Sequence, residues 1–229
     1  MEHNLLQTDY LRHEQIYAAK PGASGWNEAA VDREISSYVE ELLSYAHMAD
    51  RATILEVGCG MGNLTIPLGC AGFDVIGIDI STTAVERATQ RALLTGLHAS
   101  FHVGNVILWE TYRELPALDC VLDGLCWHCL IGQDRQAFLS CVRNILKPRG
   151  CFLVITMCGN PRSSRLQALF DPVSRCITND HIAERYLGMP QDLEAELSNA
   201  GLTVVYHRLV EGNSVSGDRD LFLAVTRSW

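Results

Sequence analysis

The residues most able to do chemistry stand in two clusters, and the first is Glu56-Val-Gly-Cys-Gly-Met-Gly62, three alternating glycines behind a carboxylate. A short apolar run over 53–57 leads into it, and a helical stretch to about residue 71 leaves it. A strand that ends in a glycine turn and opens a helix sets bare backbone N–H groups against a ligand. Gly58 and Gly60 let the chain turn tightly, and Gly62 lets the helix start lie close to the sheet. The dinucleotide fingerprint requires G-x-G-x-x-G. Here Asn63 occupies its last position and Gly62 precedes it, so the loop departs from the nicotinamide-binding form. Asp79 closes the next apolar run. A carboxylate there can accept hydrogen bonds from both hydroxyls of a ribose, which points to an adenosine-containing ligand. The plainer alternative is a βαβ unit whose glycines serve only the turn.

The second cluster is Asp123-Gly-Leu-Cys-Trp-His-Cys129, at the end of an apolar run over 117–123. His128 is a candidate proton acceptor, or a residue that caps the next helix. Cys126 and Cys129 flank it as Cys-x-x-Cys. A structural zinc site needs four ligands, and no second pair stands at recognisable spacing, so no metal is expected. The thiols read either as core residues packed beside Trp127 or as soft ligands for a metal, metalloid or thiol acceptor.

Positioning these clusters requires a regular frame. Apolar residues at Val31, Ile35, Tyr38, Val39, Leu42, Leu43 and Ala46 mark one face of a helix over 28–49. Strands are predicted at 53–57, 74–79, 100–104, 117–123 and 151–157, with helices between them, the last closed by Lys147-Pro-Arg-Gly150. That alternation implies parallel strands with right-handed crossovers, covered on both faces. A helix over 191–200 ends at Gly201, a natural residue just past a helix end. Two final strands, 203–209 and 221–227, flank a glycine- and serine-rich connector over 212–217 that reads as a mobile loop.

Ile54-Leu-Glu-Val-Gly-Cys-Gly-Met-Gly-Asn-Leu-Thr-Ile66 and Val75-Ile-Gly-Ile-Asp-Ile-Ser81 together resemble the first two motifs of class I S-adenosylmethionine (SAM)-dependent methyltransferases. Ile145-Leu-Lys-Pro-Arg-Gly150 is similar to that family's stretch before strand five. The resemblance implies an α/β, Rossmann-like fold: a mostly parallel seven-stranded sheet, helices on both faces, and one antiparallel strand near the C-terminus. It implies that Glu56 and the loop Gly58, Cys59, Gly60 and Gly62 face the methionine part of SAM. Asp79 would hold the ribose, Ile80 would pack on the adenine, and Asn105 and Val106 would meet its edge. The family often has Asp where Asn105 stands. Asp123 and Gly124, ending strand four, would lie beside the methyl group, with Asp123 and His128 as the acceptor-side catalytic candidates. The implied activity is methyl transfer to an N, O or S atom of a small molecule. A non-catalytic SAM-binding regulator is the alternative from another class.

Bulk properties narrow the partner. The chain has 229 residues and a formal net charge of -9, with lysine only at Lys20 and Lys147. Phosphate backbones are bound by clustered Lys and Arg, so a nucleic-acid partner is not expected. Nor does Asp123-Gly-Leu-Cys126 match the Asp/Asn-Pro-Pro-aromatic motif of amino-directed DNA methyltransferases. The first residues lack a signal-peptide pattern, and no window approaches the ~18 apolar residues needed to span a bilayer. A cytoplasmic protein, monomeric or homodimeric, without membrane association is expected, with most of its nine cysteines reduced. Residues 1–27 read as a cap or lid, 28–229 as one domain, and 159–189 as an acceptor-side insertion. Tyr17 and Trp26 are candidate walls of the site. Arg162, Arg165, Arg175 and Arg185 are candidate ligands for an acceptor carboxylate, or partners of surface acids.

Overall fold

The computed structural model describes residues 6–19, 29–212 and 219–228. Trp26 and nearly all of the 212–217 connector lie outside the described residues. The chain opens with α1 (Arg12–Ala18) and α2 (Ala29–Ala46), then alternates through β1 (Thr53–Val57), α3 (Thr65–Cys70), β2 (Asp74–Asp79), α4 (Thr82–Leu94) and β3 (Ser100–Val103). It continues with β4 (Leu118–Gly124), α5 (Gln133–Ile145) and β5 (Leu146–Cys158). A smaller unit follows: α6 (Ser164–Gln167), β6 (Phe170–Asp171), β7 (Cys176–Asn179) and β8 (Ile182–Tyr186). The chain then passes through α7 (Pro190–Asn199), β9 (Leu202–Val210) and β10 (Asp220–Ser228).

Seven strands form one sheet in the order β3-β2-β1-β4-β5-β10-β9. The first five run parallel, and β10 is antiparallel to both β5 and β9. Every residue from Ile54 to Val57 is buried, as expected for a central strand covered on both faces. Alternate residues divide between two cores, because successive side chains on a strand point to opposite faces. Leu55, Val57, Val121 and Phe152 pack with Phe138 and Val142 of α5. Ile54, Leu122 and Leu153 pack with Ile35, Val39 and Leu42 of α2. The helical period read over 28–49 is therefore the buried face of α2. Among the described residues, no helix is long and apolar enough to cross a membrane.

Two segments differ from the expected boundaries. Strand β5 starts at Leu146 and absorbs Lys147-Pro-Arg-Gly150 instead of leaving it as a helix stop. Its pairing with β4 slips between Leu118 and Cys120, and Arg149 takes a left-handed φ of 66°. The irregular stretch after β5 folds into a three-stranded antiparallel sheet, β6-β7-β8. Its hairpin turns through Asp180 and His181, with φ of 48° and 67°. That is the geometry usually marked by Asn-Gly, so the sequence carried no turn signal there. The described N-terminal residues 6–19 lie as a strap against the domain. Glu14 accepts hydrogen bonds from Ser81 Oγ at 2.6 Å and Thr83 N at 3.1 Å, at the start of α4. Tyr10 donates its hydroxyl to Asp134 at 2.6 Å, and Arg87 reaches the Tyr17 carbonyl at 2.9 Å.

Candidate active site

The strand order reverses between β1 and β4, and the crevice beyond their carboxyl ends is where open α/β sheets bind ligands. A cavity of about 320 Å³ lies there. The loop after β1 and the loop after β4 meet across it closely enough that a side chain on Gly58 would come within 2.6 Å of the Cys126 Cβ. Tyr10, just before α1, and His13 and Tyr17 of α1 line the cavity on another side. Asp32 and Ile35 of α2 and Met157 of β5 complete its wall.

Most residues expected from the sequence line this cavity. Glu56, Gly58, Cys59 and Gly60 form one side, Asp79, Ile80, Asn105 and Val106 another, and Gly124 and His128 a third. Of the candidate arginines only Arg185 lines it, while Arg162 pairs with Asp220, Arg175 donates to the Leu187 and Gly159 carbonyls, and Arg165 is not among the lining residues. Gly62 and Asp123 do not line it either. Gly62 (φ 75°) starts the helical turn: it donates to the Cys59 carbonyl at 2.9 Å, and its own carbonyl accepts from Ile66 at 3.0 Å. Its lack of a side chain makes room for Ile66 and Phe101. Asp123 is fully buried beneath the loop, with Oδ1 accepting from the backbone of Cys126 and Trp127, each at 2.8 Å. A carboxylate at the end of β4 is drawn to the free N–H groups of the turn after it. Asp123 therefore shapes the loop through Oδ1, while its buried Oδ2 has no hydrogen-bond partner among the described residues. Burial raises its pKa to about 7, against the lowering by those two N–H groups.

Asp79 accepts from Gly60 N at 2.9 Å through Oδ2 and from Ser81 N at 2.8 Å through Oδ1. An ionised carboxylate offers about four acceptor positions, so each oxygen keeps one for a ligand. Burial raises its pKa, and those two N–H donors oppose the rise. Glu56 is held by Thr65, whose N donates at 2.8 Å and whose hydroxyl also donates. Burial pushes Glu56 up to about 8, and the charges of Asp79 and Asp123 add to the rise. A cation placed against it would restore its charge. Asn63, standing where the dinucleotide loop has glycine, donates to Asp32 at 3.0 Å and ties the loop to α2. This end of the cavity suits SAM: a carboxylate for the ribose, acids for its cationic end, and Ile80 and Val106 as apolar surface for a base.

The opposite end is built by a single 3₁₀ turn, Trp127–Cys129. Arg135 fixes it: the guanidinium lies between the Trp127 and Tyr186 rings, 4.4 and 4.2 Å from their centroids. It also donates to the Trp127 carbonyl at 2.9 Å and to Glu196 at 2.8 Å. His128 is thus carried on a rigid turn. Its Nδ1 is buried with no hydrogen-bond partner among the described residues. Burial first, then the charges of Arg185 and Arg219, hold its pKa well below the usual 6.5, so the imidazole is neutral. Cys126 and Cys129 also line the cavity, but burial raises both thiols, Cys129 to about 11. Tyr10, His13, Asp32, Met157 and Arg219 also belong to the cavity, and no local motif marks them in the sequence. Their contribution comes from the fold.

Residues 54–150 match the family described as a methyltransferase domain. That stretch is thus a methyltransferase domain. The chain is 31% identical over 158 residues to the human mitochondrial ubiquinone biosynthesis O-methyltransferase, covering 66% of this chain and 41% of that protein. It is 29% identical over 181 residues to the ubiquinone biosynthesis O-methyltransferase of Brucella anthropi, covering 75% and 71%. The chain thus spans less than half the length of the human relative. The Burkholderia thailandensis 1,6-didemethyltoxoflavin-N1-methyltransferase, solved with its acceptor and S-adenosylhomocysteine (SAH), superposes with a TM-score of 0.70 at 18% identity, covering 96% and 87%. That last likeness establishes the methyltransferase fold.

In this domain the Gly60 position makes one sharp prediction. Gly60 has φ 52°, and a side chain there would run into the Tyr17 hydroxyl. Left-handed strain alone costs ~1–2 kcal/mol. Gly60→Ala is expected to weaken SAM binding at least about tenfold by calorimetry. Adding Tyr17→Phe should recover part of that loss, and no recovery would show that the α1 strap does not close on the loop.

Proposed function

We propose that this protein transfers a methyl group from SAM to a small organic acceptor by in-line displacement at an N, O or S atom. The observation that carries this reading is one cavity with an acidic cofactor-facing end at Glu56 and Asp79 and a neutral imidazole, His128, at the other. Bound SAM supplies an electrophilic methyl carbon on a sulfonium, so the chain's own share is placement and exclusion of water. Asp79 orients the ribose, Glu56 faces the cationic end, and Tyr10, His13 and Tyr17 shield the reacting atoms. His128 takes the acceptor's proton. The relatives named as O-methyltransferases favour an oxygen acceptor. The metalloid or thiol-acceptor alternative loses support because Cys126 and Cys129 are held protonated, and soft metals bind thiolates.

Titration with SAM and with SAH, followed by incorporation of labelled methyl from SAM into a small-metabolite extract, tests the reading. Binding of both and label in a small molecule are expected. No heat with either ligand overturns the cofactor assignment. Binding without label in any fraction favours a regulator that uses SAM without turnover.

A further inference from the structure

The two ends of the cavity differ in sign. Glu56, Asp79 and Asp32 face it on the cofactor side, and Arg185 and Arg219 face it beside His128. Cys126 and Cys129, one 3₁₀ turn apart, sample the difference. Cys126 feels the acids Asp123, Asp79 and Glu56, whereas Cys129 also feels Arg185 and Arg219. Two guanidiniums in a net acidic chain need a reason to be there.

Arg185 is poorly neutralised by its surroundings. Its ion pair is with Glu184, its neighbour on β8, at 3.6 Å, beyond hydrogen-bond distance. The same carboxylate is engaged more closely by Arg12. One acid therefore serves two guanidiniums. Arg185 Nε is buried and has no hydrogen-bond partner among the described residues. A buried donor without a partner is costly, more so on a charged group. A ligand anion removes that cost, and a planar guanidinium matches a carboxylate in two parallel hydrogen bonds.

We propose that the acceptor is an anion, a carboxylate on an apolar body, held by Arg185 and Arg219 with its apolar part against Leu125, Leu130 and Met157. The inference rests on the methyl-transfer reading and adds the acceptor's charge to it. Small sheet β6-β7-β8 is then the specificity element, because it delivers Arg185 to the β4 loop. The arrangement also separates charges usefully: the sulfonium meets acids, the acceptor meets arginines, and neither attracts the other's partner.

The test uses full-length protein saturated with SAH and ligand-observed NMR titration of benzoate, phenylacetate and octanoate against their neutral amides. At least one carboxylate is expected to bind about tenfold or more tightly than its amide. Arg185→Gln and Arg219→Gln are expected to remove that preference, and Arg185→Lys to restore part of it, with SAH affinity within about twofold of wild type throughout. Equal binding of acids and amides, or no binding of any carboxylate to SAH-loaded protein, overturns the proposal. Loss of SAH affinity in Arg185→Gln also overturns it, because the arginine would then hold the cofactor's own carboxylate. Failure of wild-type protein to bind SAH sinks the cofactor reading instead, a separate result.

Discussion

Asp79→Ala is expected to abolish measurable SAM and SAH binding while leaving the fold intact. Its carboxylate holds the Gly60 and Ser81 N–H groups, and those two bonds set the glycine loop against the end of β2. Hydrogen bonds to a charged group contribute ~1.5–3 kcal/mol each. Losing the ribose contacts and the loop's anchor together removes several kcal/mol, a drop of about a hundredfold or more in affinity. Asp79 lies at a strand end, and β2 stays paired with β1 and β3 through its backbone. A thermal melt should therefore show a folded protein. Asp79→Asn keeps one acceptor oxygen and should bind measurably, between the two. Calorimetry decides. SAH affinity within about threefold of wild type in the alanine variant would remove Asp79 from the cofactor site.

That prediction draws on residues legible in the amino-acid sequence alone, and the reason is physical. The glycine loop and Asp79 are separated by one βα unit, so their spacing along the chain is fixed by the same local geometry that makes the site. The parallel sheet is legible for the same cause: runs such as Thr53-Ile-Leu-Glu-Val57 are buried on both faces and read as continuous apolar segments. The acceptor end offers no such economy. Arg185 reaches His128 from a strand more than fifty residues away, through a hairpin whose Asp180-His181 turn has no glycine. Asp123 is a different case. It stands at the end of β4, and the free N–H groups of Cys126 and Trp127 claim one of its two oxygens. Residue type and place on a strand do not reveal which lone pairs are already taken.

The signs along the cavity explain why the two ends are built from different materials. The cofactor end uses backbone and carboxylates within a short stretch of chain, which gives a fixed grip on one ligand. The acceptor end draws on the α1 strap, the β4 loop and the small sheet, three elements that can vary without disturbing β1 or β2. Loops and peripheral elements carry specificity on a rigid frame. Two strap residues link them: the Tyr10 hydroxyl donates to Asp134 at the start of α5 and accepts from Ile131 N at 3.2 Å, and the Gln7 carbonyl accepts from Ala183 N of β8 at 2.8 Å.

His128→Ala is expected to spare SAM binding and lower kcat by about a hundredfold, the low end of what a positioned base contributes. The pH profile makes the test specific. Burial and the nearby arginines depress the pKa of His128 below 6.5, so the neutral, proton-accepting form persists to more acidic pH than in an ordinary histidine. Activity of the wild-type enzyme should therefore hold as pH falls through 6.5 and fail only further down, as the imidazole gains its proton. Replacing Arg185 with glutamine removes one of the charges that depress it, and should move that acid limb toward higher pH. In His128→Ala the limb should vanish from what activity remains. A residue that only packed the 3₁₀ turn would change thermal stability or KM and leave the acid limb in place. Unchanged kcat in the alanine variant would take His128 out of the mechanism, and leave proton removal to the acceptor's own acidity.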